Sequence, residues 1–207
     1  MSITEIVETA KEHGACDEVE DLLEFGSLEE IAANVGAKLS SWAYWWAYHV
    51  GDRYYLRQFV TEPEWAYWWA KNIGDQGYMR KLISSPSWAY YWARNIGDRE
   101  HMRRFVTNPG WAYQWAKNIG DREHMSEFIT DSANACYWAR DIGDRDYMRR
   151  FVTDPEWAYH WAKDIGDREH MRQFVTDPRW ARYWANNIGD REYMAKICKG
   201  TDWEFEA

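Results

Sequence analysis

Four arginine pairs stand at the i, i+4 spacing of a helix: Arg53/Arg57, Arg99/Arg103, Arg145/Arg149 and Arg168/Arg172. A guanidinium is a planar fork of donors matched to carboxylate or phosphate, so a row of them offers an anion-binding face. Like charges at that spacing repel by roughly a few tenths of a kcal/mol on an isolated helix. The competing expectation is therefore internal neutralisation, by Asp144, Asp167 and their equivalents or by acids of a neighbouring repeat. Glu100–Arg104 and Asp146–Arg150 have the spacing of good ion pairs.

A second row mixes rings and cations. Tyr44, Tyr67, Tyr90, Tyr113 and Tyr159 are each followed by a variable residue, from Trp45, Trp68 and Tyr91 through Gln114 and Tyr137 to His160, with Tyr183 further on. Lys71, Arg94, Lys117, Arg140 and Lys163 lie one turn further along. Such a ladder could stack bases or sugar rings, one per repeat. The alternative is that the tyrosines line a seam between neighbouring repeats and the cations are solvated.

Catalytic and metal chemistry find little support. His101, His124 and His170 occupy one repeat position and stand one or two repeats apart in a stacked array, at about 10 Å per repeat, too far to share an ion. His13, His49 and His160 form no cluster. A Gly-rich phosphate loop, an HExxH pair and a nucleophile elbow are all missing. The expectation is no catalytic residue, no metal, no cofactor and no enzyme.

The elements that position these residues come from a 23-residue period. Tryptophan opens a unit at Trp42, Trp65, Trp88, Trp111, Trp157, Trp180 and Trp203, with Asn134 standing in once. Trp46, Trp69, Trp92, Trp115, Trp138, Trp161 and Trp184 keep step, as do glycines from Gly51 to Gly189. A fixed period in this range marks stacked units, none able to bury its apolar face alone. Each reads as two short helices. In TDPEWAYHWAKDIGD (153–167), Asp154 is an N-cap, Pro155 the first helical residue and Gly166 a left-handed stop. Asp167 is expected to cap a second helix, REHMRQFVT. Trp157, Trp161 and Ile165, flanked by Ala158 and Ala162, form one core stripe; Met171, Phe174 and Val175 form the other. Most of the 16 tryptophans are therefore expected in packing.

Residues 42–202 hold seven such units, and 203–207 begin an eighth. Trp203 and Phe205 are candidates for an oligomer interface at an incompletely covered end. Residues 1–41 read as a degenerate cap of three helices, 2–13, 17–25 and 27–35. This head carries ten acidic and two basic residues, leaving 23 basic and 24 acidic for the remainder. A nearly neutral body argues against a generic nucleic-acid binder. MSITEIVETAKEHG has neither a basic leader nor an apolar core, and WAYWWAY (42–48) is too short to cross a bilayer. Cys16, Cys136 and Cys198, without CxxC spacing, read as reduced thiols of a cytoplasmic protein.

The unit MRRFVTDPEWAYHWAKDIGDREH (148–170) resembles the short helical repeats of the leucine-rich-repeat-variant type. A brief helix with an x-R-x-x-V run leads there too through Asn/Asp-Pro into a second helix. It is also similar to Trp/Tyr-rich tandem repeats of uncharacterised phage and bacterial proteins. The resemblance covers 42–202 in rhythm, with tryptophan for leucine and a unit one residue shorter. It implies a stacked all-α solenoid and brings no active site. The expected function is a non-enzymatic scaffold that binds a protein or itself, as a homodimer or head-to-tail stack, without a membrane partner. The alternative is an aromatic and basic ladder for single-stranded nucleic acid, nucleotide or glycan.

Overall fold

The computed structural model describes residues 3–34, 36 and 38–206; Ser2 and Val35, expected at helix ends, lie outside them. Every regular element among the described residues is helical, in the repeating pattern of an all-α solenoid. No helix among them is long and apolar enough to cross a membrane. The chain divides into two compact units, residues 1–106 and 107–207.

In the first unit the long helices of the repeats are Lys38–His49, Pro63–Asn72 and Pro86–Asn95, each packed on the next. In the second they are Pro109–Asn118, Ser132–Asp141, Pro155–Asp164 and Pro178–Asn187, again side by side. The Asp-Pro N-caps form as the sequence implies, whereas Glu62 and Ser85 at the equivalent position make no side-chain capping bond. Asp154 accepts from the backbone N–H of Glu156 and Trp157 at 3.0 and 3.3 Å, and Asp177 does the same for Arg179 and Trp180. Ser40 and Ser132 stand where other repeats have proline. Each Oγ donates back to a carbonyl of its own repeat's loop, Phe59 O at 3.1 Å and Phe151 O at 2.9 Å.

The helix stop uses two residues, not one. The N–H groups of Ile165 and Gly166 both donate to the Trp161 carbonyl, then Gly166 (φ 111°) and Asp167 (φ 54°) reverse the chain. The Asp167 carbonyl starts the second helix by accepting from the Met171 N–H. Its carboxylate makes no capping bond, contrary to expectation. Side-chain capping needs an extended cap residue, whereas left-handed backbone, which aspartate tolerates better than most residues, aims the carboxylate elsewhere. The second helix is also shorter than REHMRQFVT implies: one α-turn, Arg168–Met171, tightens into a 3₁₀ turn, Arg172–Phe174.

Trp69, Trp92, Trp115, Trp138, Trp161 and Trp184 are at most 1% exposed, alongside buried Met171, Val175 and their counterparts. The first-position rings differ. Trp157 and Ile165 are half-buried and Tyr159 is buried instead. The stripe widens because the helix Pro155–Asp164 packs both on its own second helix and on the long helices either side. In the cap, Ile3–Glu12, the 3₁₀ helix Asp17–Glu24 and Leu28–Asn34 bring Val7, Leu22 and Ile31 together, with Trp42 against them. The middle cap helix, expected over 17–25, forms as a 3₁₀ helix.

The indole N–H of Trp138, Trp161 and Trp184 has no hydrogen-bond partner among the described residues. These rings therefore stabilise the fold by area and shape alone. Trp161→Ala is expected to cost about 3–5 kcal/mol in denaturant unfolding. Trp161→Phe, which removes no hydrogen bond, should cost clearly less; equal losses would mean the N–H is engaged.

Candidate functional site

The arginine pairs separate into two sets. The second member of three of the pairs reaches the left-handed aspartate of the following repeat. Arg57 meets Asp75 at 2.6 Å in the first unit, and Arg149 meets Asp167 at 3.4 Å and Arg172 meets Asp190 at 3.2 Å in the second. Arg80, outside the pairs, makes the same contact with Asp98 at 3.0 Å. Arg103 pairs with Glu100 at 3.0 Å, so Glu100 serves this residue and not the expected Arg104. Arg104 lies beside His101, and Arg150 stacks over the Tyr147 ring at 3.6 Å. Asp146 is likewise nearer Arg149.

The first members, Arg53, Arg99, Arg145 and Arg168, are exposed and have no hydrogen-bond or ion-pair partner among the described residues. Arg122 shares their position and exposure. Sequence reasoning passed over it because residue 126 is serine and no i, i+4 pair draws attention to it. The repeat position alone would have found it.

The tyrosines occupy the seam. Tyr67, Tyr90, Tyr113 and Tyr159 are 3, 3, 7 and 5% exposed. The Tyr67 ring rests on Trp88 with centroids 5.3 Å apart, and Tyr159 rests on Trp180 at 5.4 Å. Their hydroxyls reach across: Asn95 donates to Tyr67 Oη at 2.9 Å, and Tyr113 Oη donates to Asp141. The variable ring beside each tyrosine is more open, Tyr91 at 38% and Tyr183 at 42%. Lys71 Nζ sits 5.0 Å above Trp68, and Arg140 sits 5.1 Å above Tyr137.

Asp141 is the most strongly perturbed acid. Arg140 Nε and Lys117 Nζ both donate to it at 2.8 Å, with the Tyr113 hydroxyl. These partners, Arg140 first, hold its carboxyl far below the usual range. Burial pushes the Cys136 thiol up to about 12, which keeps it protonated at neutral pH. His101, His124 and His170 each pack edge-on against a phenylalanine, Phe105, Phe128 and Phe174. No three metal-ligating side chains come together among the described residues.

At the C-terminal end, Trp203 meets Tyr183 with centroids 6.4 Å apart and remains 40% exposed. Phe205 lies between the guanidiniums of Arg182 and Arg191, 4.9 and 5.3 Å away. Arg182 and Arg191 also donate to the carbonyls of Glu204 and Glu206. The tail thus folds back over the last repeat. Comparison with known protein families, curated proteins and solved structures finds no match.

The Asp141 cluster has a defined pH signature. A carboxylate with a depressed folded pKa stabilises the fold fully above its unfolded pKa, near 4. That contribution disappears as pH falls toward the folded value. Asp141→Asn is therefore expected to lower the melting temperature at pH 7 and to leave a shallower decline under acid, both measurable by circular dichroism. Parallel melting curves for the two proteins across pH 2–5 would contradict this.

Proposed function

We propose that the chain is a non-enzymatic repeat scaffold that recognises a protein partner through the exposed arginines that each unit carries. The observation that carries this reading is the division of labour among the arginines. Arg57, Arg149 and Arg172 are held by the fold. Arg53 and Arg99 in the first unit, and Arg122, Arg145 and Arg168 in the second, are exposed and have no hydrogen-bond or ion-pair partner among the described residues. The acids that follow them in sequence, such as Glu123 and Glu169, do not neutralise them, because i, i+1 side chains diverge on a helix. Arginine with mobile guanidinium forks is well suited to carboxylates of a protein surface.

The acidic segment 1–41 of a second copy has the complementary charge, which makes self-assembly part of this reading. The protein works in this view without a cofactor, and the tail residues Trp203 and Phe205 offer a second contact.

A reading as a ladder for single-stranded nucleic acid, nucleotide or glycan draws on the cations above Trp68 and Tyr137. Against it, the rings already pack on one another: Tyr67, Trp88 and Tyr91 are mutually in contact at 5.3–6.3 Å. Bases stack on rings that are open, and these are largely covered.

A quadruple Arg53, Arg99, Arg145 and Arg168→Gln variant should keep the native melting temperature. It should lose binding of a poly-glutamate peptide and any salt-sensitive self-association seen by sedimentation velocity. Retained poly-glutamate binding would remove these arginines from the account, and tight oligothymidylate binding would favour the ladder.

A further inference from the structure

The third position of the seven repeats is tyrosine five times, Cys136 once and Arg182 once. In three seams the tyrosine ring lies on the opening tryptophan of the next repeat in one geometry: Tyr44 on Trp65 (5.4 Å, 37°), Tyr67 on Trp88 (5.3 Å, 35°) and Tyr159 on Trp180 (5.4 Å, 36°). At Tyr44 and Tyr67, and at Tyr113 before the repeat opened by Asn134, the phenol oxygen bonds to the eighth-position side chain of the next repeat, whereas Asn187, which faces Tyr159, donates to the Tyr183 carbonyl. Asn72 donates to Tyr44 at 2.8 Å, Asn95 donates to Tyr67 at 2.9 Å, and Tyr113 donates to Asp141. At the third position of the repeat opened by Asn134 stands Cys136.

The receiving half of the arrangement is nevertheless intact. Trp157 holds the opening position and Asp164 the eighth. Tyr137 meets Trp157 edge-on (5.4 Å, 71°), not in the tilted face contact its counterparts receive. The Asp164 carboxylate is exposed and has no hydrogen-bond or ion-pair partner among the described residues. A cleft of about 250 Å³ opens here, lined by Cys136, Tyr137, Arg140, Trp157, His160 and Asp164. A cavity of about 150 Å³ already takes up benzene, so a substituted ring fits with room to spare.

We infer that this cleft is a binding site for a phenol ring, which lies on Trp157, covers Cys136 and donates its hydroxyl hydrogen to Asp164. The chain itself supplies the precedent: Tyr44 and Tyr67 are the bound form of this ligand in their own seams. Tyr113 donating to Asp141 shows the hydroxyl–carboxylate pairing, and Lys117, which donates to Tyr113 Oη at 3.0 Å, shows the role Arg140 takes at the cleft. Recognition combines ring burial against an indole with a charge-assisted hydrogen bond. The site is independent of the exposed arginines and stands whether or not they bind a partner.

The ligand chemistry has two sources, a free phenol or the tyrosine of a partner chain, and calorimetric titration with p-cresol and with N-acetyltyrosinamide separates them. Saturable binding of p-cresol alone assigns a small phenol, and binding of both assigns a tyrosine side chain. Toluene, which lacks the hydroxyl, should bind roughly tenfold more weakly. Cys136→Tyr should fill the cleft, abolish binding and raise the melting temperature, whereas Cys136→Ala should bind normally. Should Cys136→Tyr fail to fold, Asp164→Ala, at an exposed site, must still weaken p-cresol to the level of toluene. Failure of both probes to bind, or equal binding by Cys136→Tyr or Asp164→Ala, would overturn the assignment.

Discussion

A repeat whose two helices run to ten residues and seven, Pro155–Asp164 and Arg168–Phe174, has too little apolar surface to fold alone. Trp161 supplies what is missing. Its indole fills the space against the short helix while Ala158 and Ala162 keep neighbouring backbones close. Leucine at that position would leave the gap open, because the alanines beside it fill little volume. The requirement for a large ring beside small residues explains why tryptophan recurs at fixed spacing, and why its N–H is tolerated without a partner. Close-packed interiors penalise a void more than they penalise one unmade bond of modest net value.

Electrostatics follow from the same thinness. With the helix reversed in two residues, the aspartate after each glycine adopts a left-handed backbone and its carboxylate is turned toward the preceding repeat. In four repeats an arginine, Arg57, Arg80, Arg149 or Arg172, meets it there. These bridges are partly exposed, at 24–45% for the arginine side chains and about 35% for the aspartates. Each therefore contributes little singly, and their value lies in fixing the register of one repeat on the next. The neighbouring arginine, left out of this arrangement, is what gives the surface its chemical character.

Much of the architecture was legible in the sequence because the period is strict. Asp154-Pro155 and Gly166 announce the ends of a helix by local chemistry that needs no tertiary context. Asp167 misled because Gly-Asp before a helix reads as a cap, and a left-handed aspartate cannot be told from an extended one by residue type. Trp157 and Tyr159 exchanged places for a different reason. A 3.6-residue stripe locates the face toward the partner helix, but the second covered face depends on how adjacent repeats stack. The seam role of Tyr67 and Tyr113 was visible as one of two readings; their hydroxyl partners, Asn95 and Asp141, were not, since those contacts join residues 28 apart. The cleft at Cys136 could have been found by asking which repeat breaks the pattern, a question that self-similar sequences invite.

Two links cross between repeats, one spanning 18 residues, as from Arg57 to Asp75, and one spanning 28, as from Asn72 to Tyr44. Both are set by the 23-residue unit, falling five short of it and five beyond. A gene that gains or loses DNA in whole units through unequal crossing-over returns each side chain to an equivalent mate. Any other length strands them.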